Sequence, residues 1–423
     1  MIAVSKPAAS WALYDWANSA FATTVMAGFF PVFFKQYWAT DLSATDSTFW
    51  LGLANSLAAA IVVMFAPLLG VWCDRVGMKK RLLGLFALLG VLMTGGLFLV
   101  SQGAWQLALL LYIAAMLGFS GGNVAYDAML PRLADGGSLE RLSALGFAMG
   151  YAGGGLLFAI NVWMVLDPQL FGLADAGEAV RWSFLIVAMW WALFSLPVLL
   201  FVKDDDKPAP GPATTPVWRE LRNTWRELRA LPMAFTFLLA YWLYIDGVDT
   251  IVRMAVDYGL ALGFDSNDLL TALLITQLVG FPAALVFGRL GDRLGAKNGI
   301  LIAILVYILV VFWAWRMQSS WEFYVLAVVI GLVQGGIQAL SRALFARLIP
   351  AQHAGRFFGL YNMMGKFAAV IGPLMVGWVA VLFDNPRAGI LSVLLLFGAA
   401  LLLLARVKPE QGQARAQAWG QGA

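Results

Sequence analysis

Asp246, Asp249, Arg253 and Asp257 follow one another at separations of 3, 4 and 4 residues inside an otherwise apolar stretch. At about 100° per residue, a helix puts all four within an arc of about 80°, as one polar stripe. An ionised residue at the centre of a membrane span costs roughly 2.5–3.5 kcal/mol, so such a stripe must face water, a partner charge or a solute. Asp249–Arg253 and Arg253–Asp257 are i,i+4 pairs that can neutralise each other. Asp246 is then the carboxylate left over, and the candidate for binding and releasing a proton during a working cycle. Trp242 continues the same face one turn earlier, with either an indole N–H to offer or plain packing. A static ion-pair stripe that fixes helix packing is the competing reading.

Other polar groups are scattered through apolar sequence. Lys366 lies about ten residues inside its span by the usual span length. It can pair with an acid of the stripe, hold a carboxylate of a solute, or snorkel to the surface. Asp15 and Asn18 lie one turn apart near the start of the first apolar stretch. Asp15 is expected to be shallow there, so an interfacial role or an interaction with the helix N-terminus competes with a functional one. Asn123 shares a helical face with Asp127, and Gln334 and Gln338 share one with Arg342. The three amides lie deeper than the charges, where they suit solute contacts or simply join helices. Asp127 and Arg342 lie near span ends, suited to a charge network with Arg75 or Asp292.

Catalytic chemistry finds little support. Gly118-Phe-Ser120-Gly-Gly122 matches a nucleophile-elbow string but lies within a span with no strand before it, and the only histidine, His353, falls in a turn. No zinc-protease or phosphate-loop motif occurs, so neither an enzyme, a cofactor nor a metal site is expected. The one cysteine, Cys73, excludes an intramolecular disulfide.

The elements that must position these groups follow from composition. Of 423 residues 61% are hydrophobic and 12% charged, against about 25% charged in ordinary soluble chains. The bilayer is the solvent, and the chain is read as an all-α membrane protein. With about 20 apolar residues per crossing, twelve spans fit, the first over 11–37. They divide into a six-helix bundle over 1–202, a linker over 203–232, a second six-helix bundle over 233–409 and a tail over 410–423. Most of the 28 Lys and Arg fall at one set of span ends and in the linker and tails, with Lys35, Arg181, Arg316 and Arg387 on the other side. That bias places both termini in the cytoplasm and accounts for the net charge of +4 without nucleic acid. No cleavable signal peptide is expected, because the first apolar stretch is long and carries Asp15. The short loops suit a bacterial inner membrane, with the lipid bilayer as partner. In the linker, Trp-Arg-Glu-Leu-Arg occurs at 218–222 and again at 225–229. Trp218, Leu221, Trp225 and Leu228 share one helical face, which suits a helix lying among lipid headgroups; a protein-docking or coiled-coil segment is the alternative.

One sentence of sequence is written twice. Gly70-Val-Trp-Cys-Asp74-Arg75-Val-Gly77-Met-Lys79 returns as Gly288-Arg-Leu-Gly-Asp292-Arg293-Leu-Gly295-Ala-Lys297, each copy between two long apolar runs. This Gly-x-x-x-Asp-Arg-x-Gly-x-Lys turn resembles the signature loop of the major facilitator superfamily. Asn298 stands where a second basic residue is usual. A narrower resemblance lies in Trp11-Ala-Leu-Tyr14-Asp15-Trp16-Ala-Asn18-Ser19, continuing to Phe29-Phe30-Pro31, which is similar to the opening of the vacuole-effluxer-like branch. That branch includes fungal autophagy-related exporters of vacuolar amino acids. The resemblance implies two six-helix bundles, spans one, four, seven and ten lining a central cavity, and loop charges that latch the cytoplasmic side. It implies a secondary transporter, for a small zwitterion such as an amino acid, with proton coupling as an option. Export of amphipathic or aromatic compounds, in keeping with 18 tryptophans, and a non-transporting sensor or scaffold are the alternatives.

Overall fold

The computed structural model describes residues 5–134, 138–204, 217–261, 266–368 and 371–422. Within them, twelve helices are long and apolar enough to cross a membrane, from Lys6–Trp38 to Arg387–Arg406. An even number of crossings puts both chain ends on one side, called here the terminal face. The linker helix Val217–Ala230 and a last helix, Pro409–Gly422, add to the twelve; the tail expected over 410–423 is thus largely helical.

Local chemistry sets where the spans begin and turn. Ser5 accepts a hydrogen bond at Oγ from the Ala8 amide (3.3 Å), and Pro7 sits in the first turn. The first span therefore starts at Lys6 rather than at 11, which carries Asp15 well inside the helix. In both signature loops a glycine makes the turn: Gly77 has φ 63° and Gly295 φ 86°, a region side chains disfavour.

One span departs from regular α-helix. The first widens into π-helical turns over Phe21–Phe29 and Phe34–Trp38, a form concentrated at functional sites. The eleventh is described over Ala354–Phe367 and Ile371–Leu382. Small residues let helix backbones meet. A side chain at Gly153 would lie 2.5 Å from the Trp16 carbonyl oxygen, and one at Gly150 2.6 Å from Ser19 Oγ, so the fifth span lies directly on the first. Aromatic stacking fills the gaps: Trp11 lies 4.2 Å from Tyr126 and Phe30 lies 3.9 Å from Tyr112, ring centre to ring centre.

Candidate functional site

Between the two six-helix halves lies a cavity of about 350 Å³, within the range that encloses small molecules. The first span contributes Asp15, Ser19 and Thr23, the fourth Phe119, Asn123, Tyr126 and Asp127, and the fifth Phe147 and Tyr151. From the other half come Tyr241, Gln277, Gln338, Arg342, Tyr361 and Asn362. Thr23 Oγ1 lies within hydrogen-bonding reach of the carbonyls of Ser19 (3.0 Å) and Gly154 (3.2 Å), tying the wide turn to the fifth span.

Arg342 closes the floor of this cavity. Its guanidinium donates to Asp127 Oδ1 (3.1 Å), to Ser143 Oγ (2.9 Å) and to the Ser143 carbonyl (2.9 Å), and lies 4.3 Å from the Phe147 ring centre. Asp15 Oδ2 is 3.9 Å away. Asp127 also accepts from the Asn362 amide (2.9 Å), whereas Asp15 accepts from the Tyr126 hydroxyl at 3.2 Å and the Ser19 hydroxyl at 3.5 Å. One cation thus faces two carboxylates, nearer Asp127 than Asp15, and the charged lining residues carry a formal surplus of one negative charge. Such a surplus in a low-dielectric pocket calls for a proton or a solute cation.

Below Arg342, toward the terminal face, three further contacts join the halves. Arg347 makes a two-pronged bond with Glu140 (2.8 and 2.7 Å), and Arg141 pairs with Asp292. Asp74, buried, accepts from the backbone amides of Gly355 and Arg356 at 2.8 Å each, with Lys79 Nζ 3.8 Å away. Gly70 and Gly355 allow this approach, because a side chain on Gly355 would meet the Asp74 carboxylate. The linker helix adds ion pairs from Glu220 to Arg75 and from Glu227 to Arg356 (3.0 Å). Burial pushes the Glu227 carboxyl up from its ordinary range, and Arg356 pulls it part of the way back. These layers seal the cavity from the terminal face.

Several expectations need correction. Asp246 does not hold a spare carboxylate over the cavity: it is 1% exposed and accepts from the Gly372 amide at 2.9 Å, capping the helix Ile371–Leu382 of the eleventh span. The i,i+4 arithmetic treats a helix in isolation and overlooks backbone donors on a neighbour. Asp249 is half-buried and is not among the cavity-lining residues. The side chains of Arg253, Asp257 and Trp218 lie outside those described. Lys366 Nζ sits 6.0 Å from the ring centre of Phe119, at the cavity margin, in the last turn of Ala354–Phe367. Asp15 is deep and lines the cavity rather than lying shallow, a consequence of the earlier helix start. Asn123 and Gln338 line it; Asn123 accepts from Asn18 at 2.8 Å, and Gln334 is not among the lining residues. Asp127 and Arg342 meet each other, not Arg75 or Asp292. In the second loop, Arg293 is exposed, and Lys297 donates to the carbonyls of Ala405 and Val407 at the end of the twelfth span.

Sequence reasoning missed Tyr126, Tyr151, Tyr241, Tyr361, Gln277 and Asn362. Tyr126 adjoins Asp127 and was the one within reach; Tyr241 shares its span with the charge stripe and Tyr361 and Asn362 theirs with Lys366, but none of the described charges there lines the cavity, so they pointed to the wrong face. It also missed Glu140, Ser143 and Arg347, whose roles depend on which span ends meet across the halves.

Comparison with known proteins extends these observations. A family model described as vacuole effluxer Atg22 like matches residues 5–417. The MFS-type transporter YxiO of Bacillus subtilis is 37% identical over 409 residues, covering 96% of each chain. Autophagy-related protein 22 of Cryptococcus neoformans is 27% identical over 67% of this chain, which spans 55% of that longer protein. Among solved structures, the proton:xylose symporter XylE superposes with TM-score 0.70 at 14% identity, covering 95% of this chain and 94% of its own. The major facilitator FucP in its outward conformation gives 0.67 at 14%, covering 96% and 99%; likenesses this distant speak to the fold.

Proposed function

This chain belongs to the Atg22-like vacuole effluxer family, a branch of the major facilitator superfamily, and from that premise we propose that it carries a small zwitterion, such as an amino acid, by alternating access. It is an integral multi-pass membrane transporter and not an enzyme. The observation that carries the substrate reading is the unequal sharing of Arg342 between Asp127 at 3.1 Å and Asp15 at 3.9 Å. Asp15 faces the cavity with a charge that Arg342 only partly answers, so a solute ammonium docks there. The amides of Asn123, Gln277, Gln338 and Asn362, with the tyrosine hydroxyls, supply donors for the solute carboxylate.

Binding then acts on the gate. Arg342 belongs to one half, and its partners Asp15, Asp127 and Ser143 to the other. An ammonium at Asp15 takes over part of the charge that holds Arg342 in place, and so favours opening of the terminal face by its preference for that state. A proton competes with the ammonium for the same carboxylate, which couples the solute to a proton gradient. Asp15 is better placed for this than Asp246, whose protonation would sacrifice a helix cap. The terminal face is taken as cytoplasmic, in a bacterial inner membrane, with a monomer as the transport unit.

The test is counterflow in proteoliposomes preloaded with a mixed amino-acid pool, following entry of each labelled amino acid. A subset should accumulate transiently, and Asp15→Asn should reduce that accumulation by at least about tenfold, the loss of one charge-assisted contact. No accumulation by folded protein would overturn the assignment. The aromatic walls (Phe119, Tyr126, Phe147, Tyr151, Tyr241 and Tyr361) favour one second reading, export of amphipathic cations held over ring faces. Competition by hydrophobic cations, without competition by amino acids, would select it.

A further inference from the structure

The repeated Trp-Arg-Glu-Leu-Arg of the linker has a role that its apolar face does not explain. Seven residues make just under two helical turns, so Glu220 and Glu227 project from one side of the helix about 10 Å apart. In the structure that side is the inward one. Glu220 and Glu227 are half-buried, and Thr224 and Leu228 between and beside them are 0% exposed. Arg219, Arg222 and Arg226 are exposed, and Trp225 is 37% exposed. The helix thus turns its acids toward the bundle together with Thr224 and Leu228, and Trp225 away to the edge.

Each acid meets a different half of the molecule. Glu220 pairs with Arg75, next to Asp74 in the first signature loop, and Glu227 pairs with Arg356 at the start of the eleventh span. The Arg356 amide in turn donates to Asp74. These groups form a closed circuit: first half to second half through Asp74 and Arg356, second half to linker through Glu227, and linker to first half through Glu220. The linker helix runs through Leu231 straight into the seventh span, so it is already fastened to the second half. Glu227 therefore sets its orientation, and Glu220 makes the bond across the divide.

We propose that the linker helix is a strap over the terminal face, Glu227 fixing it to the half it belongs to and Glu220 fastening it to Arg75 of the other. Opening that face breaks the Arg75–Glu220 pair while Glu227–Arg356 travels intact. Glu220 and Glu227 are positioning residues of the gate, acting on Asp74 through the two arginines that flank its contacts.

The strap can be tested without knowing the solute, so its failure is separate from any failure of the amino-acid reading. Full-length protein in lipid nanodiscs, in a Cys73→Ser background, would carry nitroxide labels at Arg81→Cys and Asn298→Cys. Both positions are exposed, at the terminal ends of the third and ninth spans and apart from the latch. Pulsed dipolar spectroscopy then reads the separation of the halves. Glu220→Gln should raise the ratio of long to short separations about threefold to fivefold, the order expected on losing a partly exposed ion pair. Glu227→Gln should raise it less and broaden the distribution. The exchanged pair, Glu220→Arg with Arg75→Glu, should return the ratio to that of the parent. An unchanged ratio in Glu220→Gln, or an exchanged pair that stays open, would overturn the proposal.

Discussion

The two copies of the signature loop share a sequence and not an environment. In the first, the Asp74 side chain is 4% exposed and accepts two backbone amides; in the second, Asp292 is 27% exposed and meets only the side chain of Arg141 among its described bonds. The difference lies in the helix that each aspartate faces across the halves. The eleventh span begins with no side-chain cap of its own, so Asp74 supplies one from the other half. The fifth span begins with Ser138, whose Oγ accepts from the Arg141 amide at 3.2 Å, and carries Glu140 in its first turn. That helix is already capped and already acidic, which leaves Asp292 only a guanidinium. A motif becomes a latch where its partner helix has been left uncapped.

The largest effect should come from removing the first aspartate. Asp74→Ala strips the cap and a counter-charge of buried Lys79, and should lower the apparent unfolding midpoint in detergent by about 2 °C, the order of 1–2 kcal/mol for a chain of this length. Asp292→Ala should stay within about 0.5 °C; equal losses would refute the contrast. A middle effect should come from giving the eleventh span a cap of its own. His353 occupies the N-cap position, and His353→Asp in the Asp74→Ala background should recover about half of the lost midpoint. The smallest should come from Lys297→Met. It removes donors to the Ala405 and Val407 carbonyls at a helix C-terminus, worth a few tenths of a kcal/mol and under about 0.5 °C, whereas Lys79→Met should cost several times that. Thermal unfolding of the two lysine variants side by side checks the ranking.

The architecture was legible because a bilayer demands long apolar helices, so span number and placement follow from composition and spacing alone. The site was legible only where a charge or amide broke an apolar face: Asp15, Asn123, Asp127, Gln338 and Arg342 all reach the cavity or its floor. Its tyrosines were hidden in a chain with 14% aromatic residues, where one more ring marks nothing. Asp246 drew attention for its charge, yet its partner is a backbone amide 126 residues away, which no local pattern reports. The linker was legible only in part. Its tryptophan stripe suggested which face meets lipid, but the partners of its glutamates, two arginines at distant span ends, leave no trace in the local pattern.

The cap that Asp246 makes on Gly372 has a mechanical consequence. It fastens the eleventh span to the seventh, while the start of the same span carries the amides that hold Asp74. A single membrane crossing is thereby held at two levels by carboxylates borrowed from other spans, one from its own half and one from across the divide.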